Sequence, residues 1–247
     1  MLNLKKKYFY NNDISENIIN IIKFTKKYGK NYKLLDVGCG SGYQSNFIRK
    51  KFKFEVHGIE EIKSLKKKIN KNLDKVILEN LNDKKKISKI IKSNYYDYII
   101  FSDVLEHIID PVDILNFYKK FLKKNGFIIV SVPNVANIYQ RLLLLFGVFS
   151  YQEAGVMDKT HLRFFTKKTL ISCAKEANLK IVHNTSDSII IRGLFYIFRL
   201  NSLKNTKNLT KSVYMKVYKL FIQPLELIFV KLLPNIFSFR FGLLLKK

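Results

Sequence analysis

The chain predicts an α/β fold, a mostly parallel sheet with helices on both faces, and three observations carry that prediction. A short apolar run from Lys33 ends in a carboxylate, Asp36, and breaks into a turn with glycine at alternate positions, Gly38, Gly40 and Gly42; a helix-forming stretch, 43–50, follows at once. Further apolar runs at 52–59, 76–78, 96–101 and 127–132 alternate with segments of helical character, the order expected of parallel strands joined by helices. With 247 residues, 47% of them apolar, the chain is long enough for a substantial core.

The glycine turn comes first because it carries the chemistry. Strand, glycine turn and helix open a nucleotide-binding α/β sheet, and glycine is needed where the backbone must turn sharply and approach a ligand without a Cβ in the way. The N–H groups at the helix start suit an anionic group such as a carboxylate or phosphate. A dinucleotide fingerprint would place its third glycine at position 43, which is Tyr43. The pattern here is G-x-G-x-G with an acid two residues before it, and a negative group beside the loop suits a ligand with an amino group and a sulfonium better than a pyrophosphate. The run DVGCGSG, Asp36 to Gly42, resembles the first motif of the class I S-adenosyl-L-methionine (SAM) dependent methyltransferases. That resemblance implies a Rossmann-like seven-stranded sheet with helices on both faces, an antiparallel last strand, and SAM bound around Asp36, Gly38, Cys39, Gly40 and Gly42.

The remaining cofactor contacts follow from the next strands. Glu60 closes the second apolar run about 20 residues past the glycines, where one carboxylate accepts hydrogen bonds from both ribose hydroxyls; Glu61 is the alternative. In the related family an Asp shortly after the third strand contacts the adenine amino group. Here Asn80, followed by Leu81, falls at that place, and Asp83 lies further on. Ser102 and Asp103 close the fourth strand, whose C-terminal end faces the glycine loop in open parallel sheets.

Punctuation supports the rest of the chain. Gly29 ends a helix over 13–28 that covers the sheet edge and the cofactor mouth. Asp110 and Pro111 read as an N-cap and first helical residue before a helix over 112–124; Gly126 ends the loop before the fifth strand. Thr166 caps a helix over 167–177, and 180–184 form the sixth strand. The stretch from Asp97 through SVPN, residues 131–134, resembles the ubiquinone-biosynthesis-type O-methyltransferases and their relatives among bacterial cell-surface polysaccharide loci. The run MDKTHLRFFT, residues 157–166, strengthens the second comparison, and the resemblance covers roughly residues 30 to 185.

Four regions result: an N-terminal helical cover over 1–30, a SAM-binding core over 31–188, an apolar helical insertion over 189–233, and a returning strand over 234–247. Within the insertion, 189–200 is apolar with Arg192 and Arg199, 201–212 is a polar break, and 213–233 is apolar again. In that last stretch Lys216, Lys219, Gln223, Glu226 and Lys231 share a narrow polar face, and Pro224 bends or breaks the helix. A spanning helix needs about 20 nearly uncharged residues, so two readings stand: a helix lying on an anionic membrane surface, or an insertion packed on its own protein or on a second subunit of a homo-oligomer. The net charge of +26 is unusual. Because the lysines are spread and not clustered, most of it reads as biased composition; nucleic acid is not the expected partner, and attraction to acidic lipid remains. Cys39 and Cys173 lie far apart and the N-terminus has no apolar signal core, so a reduced cytoplasmic protein, peripheral to the inner membrane face through 189–233, is expected.

Methyl transfer from a sulfonium requires alignment and removal of a proton from the acceptor. Four histidines are present. His57 and His183 fall on strands and read as structural or exposed. His107, after the fourth strand, and His161, on a segment that caps the acceptor pocket, are the catalytic candidates, with Arg163 placed for an anionic acceptor. Asp103, Glu106 and His107 form D-x-x-E-H, with His161 arriving from later in the chain. This is similar to the arrangement that binds a divalent ion in small-RNA 2′-O-methyltransferases, and the same residue types also occur in metal-free relatives. The reading is therefore a SAM-dependent O-methyltransferase acting on a sugar or lipid-linked glycan precursor. Its rivals are a quinone-precursor O-methyltransferase, an RNA ribose methyltransferase, and a SAM-binding partner protein without catalysis.

Overall fold

The computed structural model describes residues 14–188, 220 and 223–247. The first thirteen residues and most of 189–222 lie outside that range, and with them the expectations for the polar break and the first half of the apolar insertion.

Seven strands form one sheet in the order β3-β2-β1-β4-β5-β7-β6. β1 (Lys33–Val37), β2 (Glu55–Ile59), β3 (Lys75–Ile77), β4 (Tyr96–Ser102) and β5 (Leu122–Pro133) run parallel. β7 (Ser238–Lys246) lies antiparallel between β5 and β6 (Lys180–Ser188). The C-terminal run is therefore the returning strand that the sequence suggested.

Alternation along each strand sorts side chains to two cores. On β1 Leu34 joins one and Leu35 the other; on β4 Tyr98 and Ile100 face the side to which Leu34 belongs, and Ile99 and Phe101 the opposite one. The first face is covered by α1 (Glu16–Thr25), α2 (Tyr43–Phe52) and α3 (Lys66–Asn72) through Ile18, Ile22, Ile48 and Ile69. The second is covered by α4 (Lys84–Ile90), α5 (Pro111–Tyr118) and α7 (Lys167–Glu176) through Ile87, Ile114 and Leu170.

The caps form as the residue types dictate. The Asp110 side chain accepts from the Asp113 N–H, with Pro111 at the first helical position, and Thr166 and Thr169 make a reciprocal capping box. Other boundaries differ from expectation. α5 stops at Tyr118, one 3-10 turn follows over Lys119–Phe121, and β5 begins at Leu122, before Gly126. The reason is the core: Tyr118, Phe121 and Leu122 are all buried, and strand pairing resumes only where Tyr98 meets Phe127, so 123–126 bulge out. β6 is longer than expected because β7 pairs with it as far as Ser188.

Past β5 the backbone is organised by one residue. Buried Asn134 donates its N–H to the Phe239 carbonyl at 2.9 Å and its Nδ2 to the carbonyls of Asn235 and Ser238 at 3.1 and 2.9 Å. Its Oδ1 accepts from the Ala136 N–H, and its carbonyl accepts from the side chain of Asn137. Asn137 in turn caps α6 (Ile138–Leu145). Asn134 thus ties the end of β5 to α6 and to the junction of α8 (Gln223–Leu232), the short α9 (Pro234–Phe237) and β7. Pro224 is the second residue of α8 as described, and the residues just before it, on which the expected bend depends, lie outside the described range.

Asn134→Ala leaves the Asn235 and Ser238 carbonyls and the Ala136 N–H without this partner. The expected loss is about 2–5 kcal/mol of stability, read as a lower urea midpoint with an unchanged slope.

Candidate active site

At the end of β1 the chain turns through three glycines in the left-handed region, Gly38, Gly40 and Gly42, with φ of 75°, 55° and 71°. The Gly38 position is also sterically closed: a Cβ there would lie 2.9 Å from Val104 Cγ2. Val104 follows β4, so the missing side chain at Gly38 lets the β1 and β4 turns close on each other.

Sequence reasoning expected open N–H groups at the helix start after this turn. In the structure, Gly38 and Cys39 both donate to the Ile59 carbonyl at 3.0 Å, Gly42 to Cys39 at 2.9 Å, and Gly40 to Glu60 Oε2 at 2.9 Å. These four N–H groups fasten the turn to itself and to the end of β2, ahead of the helix start at Tyr43. What the turn offers is negative charge. Asp36 and Glu60, both buried, flank Gly40; the Ser45 hydroxyl donates to Asp36 Oδ2, and the Ile62 N–H donates to the other Glu60 oxygen at 3.0 Å. Burial, reinforced by the nearby Glu60 charge and opposed by the Ser45 bond, pushes the Asp36 carboxyl up to about 6. Burial also pushes the Cys39 thiol well above its ordinary value, and both Cys39 and Cys173 are free.

The other cofactor candidates sit around the same edge. Leu81 is 3.9 Å from the space of a Gly38 Cβ, and its carbonyl accepts from the Tyr118 hydroxyl at 3.0 Å. Asn80 is exposed on the neighbouring loop; its Oδ1 already accepts from the Asn82 N–H at 2.8 Å, and its Nδ2 donates to Glu61 at 2.7 Å. Asp83 caps α4. Ser102 ends β4 beside Ser131. Asp103 adopts φ 52°, a left-handed conformation that Asp tolerates better than most residues. Its N–H donates to the Ser131 carbonyl at 2.9 Å, and its Oδ2 pairs with Arg240 Nη2 at 3.0 Å. Arg240 comes from β7 and was not legible as a site residue.

A 3-10 turn, Leu105–His107, continues from there. Two backbone N–H groups, Leu162 and Arg163, donate to the Glu106 carbonyl at 2.8 and 3.0 Å, stitching the 160–163 segment to this turn. Arg163 spends Nε and Nη2 on the Ile109 carbonyl at 3.0 and 2.7 Å and so fastens the loop. The stitching brings together residues more than fifty positions apart: the rings of His107 and His161 are 4.8 Å apart, centre to centre. Each imidazole has its Nδ1 against a carbonyl, His107 on Thr160 at 3.1 Å and His161 on Val156 at 3.0 Å. A carbonyl only accepts, so Nδ1 carries the proton in the neutral ring and Nε2 holds the lone pair. Burial, with His107 adding to it, lowers the pKa of His161.

Glu106 completes the group at 1% exposure. Its two carboxylate oxygens have no hydrogen-bond partner among the described residues, and burial together with Asp103 holds its pKa well above the usual carboxylate range. One ligand atom from each of Glu106, His107 and His161 lies within 4.8 Å of the others. Asp103, expected with them, is turned to Arg240 instead. His57 is buried between Tyr96 and Glu55, and His183 stacks on Phe24, so both are structural, as expected. A broad basic groove lined by Lys30, Arg49, Lys53 and Lys75 lies at the opposite, N-terminal edge of the strands, and two of its acids, Asp74 and Glu55, already pair with Arg49 and Lys33.

Since Asp36 is harder to ionise folded than unfolded, the folded chain binds more protons between about pH 4 and 6, and this group's penalty grows as pH rises through that window. Asp36→Asn removes the penalty, and its ligand-free melting temperature at pH 7.5 is expected to exceed that of the wild type, by about 1–3 kcal/mol of stability.

Comparison with known proteins agrees with this geometry. A family model described as a methyltransferase domain matches residues 10–184. The chain is 33% identical over 182 residues to the ubiquinone biosynthesis O-methyltransferase of Pelagibacter ubique (strain HTCC1062), covering 68% of this chain and 70% of the relative. Among solved structures it is similar to a SAM-dependent methyltransferase from Archaeoglobus fulgidus, with TM-score 0.56 and 17% identity over 93% and 92% of the two chains. It is also similar to the Haemonchus contortus phosphoethanolamine N-methyltransferase 2 in complex with SAM, with TM-score 0.52 and 14% identity over 93% of this chain and 51% of that one. The residues present fit that cofactor on two observations: the acids Asp36 and Glu60 are buried at the glycine turn, where a cationic ligand would compensate them, and the Gly38 cradle has no room for a side chain. The chain belongs to the methyltransferase-domain family and is a class I SAM-dependent methyltransferase.

Proposed function

We propose that the chain methylates a hydroxyl of an acceptor carried on a polyprenyl lipid, with the His107–His161 pair removing the proton. The observation that carries this is the paired imidazoles at the C-terminal edge of the sheet, each held with its lone pair on Nε2. In this reading Asp36, Glu60 and the Gly38–Gly42 turn hold SAM, whose sulfonium supplies an electrophilic methyl group. Ser102, Asp103 and Leu81 line its edge, and Asn80 reaches the adenine only by giving up its Asx turn. His161 takes the acceptor proton on Nε2, and burial, with the neighbouring His107 adding to it, keeps that imidazole neutral at working pH.

Two acceptor heads fit a polyprenyl carrier. A sugar is favoured by the MDKTHLRFFT run, which builds the loop bearing His161; a phenolic quinone precursor is favoured by the relative from Pelagibacter ubique. A phenol is the easier of the two to deprotonate. The test is transfer of labelled methyl from SAM to a panel containing a polyprenyl-phosphate-linked sugar and a prenylated dihydroxybenzene, both detergent-dispersed. Product from either head supports the lipid-carried hydroxyl; product only with water-soluble acceptors sinks it.

A second reading is favoured by one observation, the two partnerless oxygens of buried Glu106 beside two imidazoles. There Glu106, His107 and His161 hold a divalent cation, oxygen and nitrogen ligands suiting zinc or manganese. The expected sign is a melting temperature that falls on chelation, recovers with added metal, and no longer responds in Glu106→Gln.

For the base reading, His161→Asn should lower kcat by about 10²- to 10⁴-fold while S-adenosylhomocysteine still binds in calorimetry. Asp36→Asn should lose that binding. The lowered pKa of His161 puts the acid limb of the wild-type rate below the ordinary imidazole value of about 6.5, with activity present above it and lost as pH falls through it. A SAM-binding protein without catalysis would show no turnover to lose.

A further inference from the structure

Two helices of this chain are packed inside out. On α6 the polar Gln140 is buried, while Leu142, Leu144, Leu145 and Phe146 stand 48–78% exposed. On α8 the acid Glu226 is buried at 1%, held by the Ser188 hydroxyl, while Leu225, Leu227, Ile228, Phe229, Leu232 and Leu233 stand 46–70% exposed. The expectation that Glu226 would lie on the wet stripe of this segment is thus reversed: the polar group is the one that faces the protein. Fully burying one Leu or Phe is worth about 1.5–3 kcal/mol, so ten such side chains left about half or more exposed leave a sizeable free energy unclaimed. Scattered surface leucines are ordinary; runs of them on two helices at one edge of the sheet are not.

The two helices share one edge of the molecule. α6 leaves the C-terminal end of β5, and α9 carries α8 into the start of antiparallel β7, which pairs with that same end through Pro133 and Arg240. Asn134 bonds to both junctions. This is the edge that carries the glycine turn and the two histidines. After α6 the apolar character continues through Val148, Phe149 and Tyr151, all exposed.

Charge decides what covers this face. From 138 to 151 the sole charged residue is Arg141, which is exposed; from 224 to 233 there are two, exposed Lys231 and buried Glu226. Every exposed charge on the face is therefore positive, in a chain of net charge +26. A second copy would bring like charge against like charge. An anionic lipid surface would not, and it accepts leucines and phenylalanines a few ångströms deep with aromatic and basic residues at the headgroups. No helix among the described residues is long and apolar enough to cross a membrane, so such a contact lies in the plane of the surface.

We propose that 142–151 and the outer face of α8 form a docking surface for an anionic bilayer, with the cofactor edge of the sheet turned toward the lipid. The surface goes beyond the acceptor reading and does not depend on the acceptor's head. Where both hold, a polyprenyl-carried hydroxyl reaches His161 without its tail leaving the membrane.

The test is co-sedimentation of the full chain with vesicles of phosphatidylcholine alone or with about 30 mol% phosphatidylglycerol. The wild type should partition to the anionic vesicles and much less to the neutral ones, with binding weakened but not abolished by high salt. Leu145→Glu with Phe146→Glu, and separately Ile228→Glu with Leu232→Glu, should each lower partitioning at least about tenfold, with circular dichroism and S-adenosylhomocysteine binding unchanged. Absence of wild-type binding to anionic vesicles overturns the proposal, as does binding of both variants equal to wild type. A dimer in vesicle-free solution that the same substitutions dissolve would assign the face to a second copy and overturn it too. No methyl transfer enters these measurements, so their failure leaves the acceptor assay to be judged by itself.

Discussion

Gly38 has no side chain, and Val104 occupies the space where one would be. A Cβ at Gly38 would meet Val104 Cγ2 at 2.9 Å, closer than packed atoms tolerate. This close approach sets the distance between the β1 turn, where the cofactor's acids lie, and the β4 turn, from which Asp103, Glu106 and His107 project. Everything functional in the chain is referred to it. The β4 turn then collects the loop carrying His161, because the Leu162 and Arg163 N–H groups both donate to the Glu106 carbonyl.

The electrostatics of the site have a single logic. Three acids, Asp36, Glu60 and Glu106, are buried at one edge of the sheet in a protein with a large excess of positive charge elsewhere. Burying a carboxylate costs several kcal/mol unless something compensates it. Ser45 compensates Asp36 only in part, so burial still makes Asp36 resist ionisation. A cationic ligand beside Asp36 would relieve that cost, and an anionic one would not. Asp103 is handled differently: Arg240 neutralises it from β7, so the last strand of the chain contributes to the site without reaching the ligand.

The inverted helices belong to the same edge. A sheet of this topology has its ligands at the C-terminal ends of its parallel strands, and here that edge is rimmed by leucines and phenylalanines with only Arg141 and Lys231 among their exposed charges. The opposite edge, with Lys30, Arg49 and Lys53, is polar.

The sequence by itself determined the parts whose cause is local. The glycine turn follows from left-handed φ at Gly38, Gly40 and Gly42; the α5 and α7 starts follow from Asp110-Pro111 and Thr166; the apolar runs that become strands follow from burial on both faces. That Glu60 would stand at the buried end of β2 was legible because it directly follows an apolar run, whereas the closeness of His107 and His161 was not a local matter. Only the tertiary structure decided the rest, because each remaining feature depends on a partner distant in the chain. Arg240 reaches Asp103 across 137 positions, Asn134 holds Ser238 across 104, and Leu162 finds the Glu106 carbonyl only after the sheet has closed. The end of α5 was decided by the core that Tyr118 and Leu122 fill, and the burial of Glu226 by Ser188 on β6. Backbone propensity and periodicity act over a few residues, so they fix turns, caps and strands; which polar group is neutralised, and which face of a helix is left to the outside, is set by neighbours that only folding supplies.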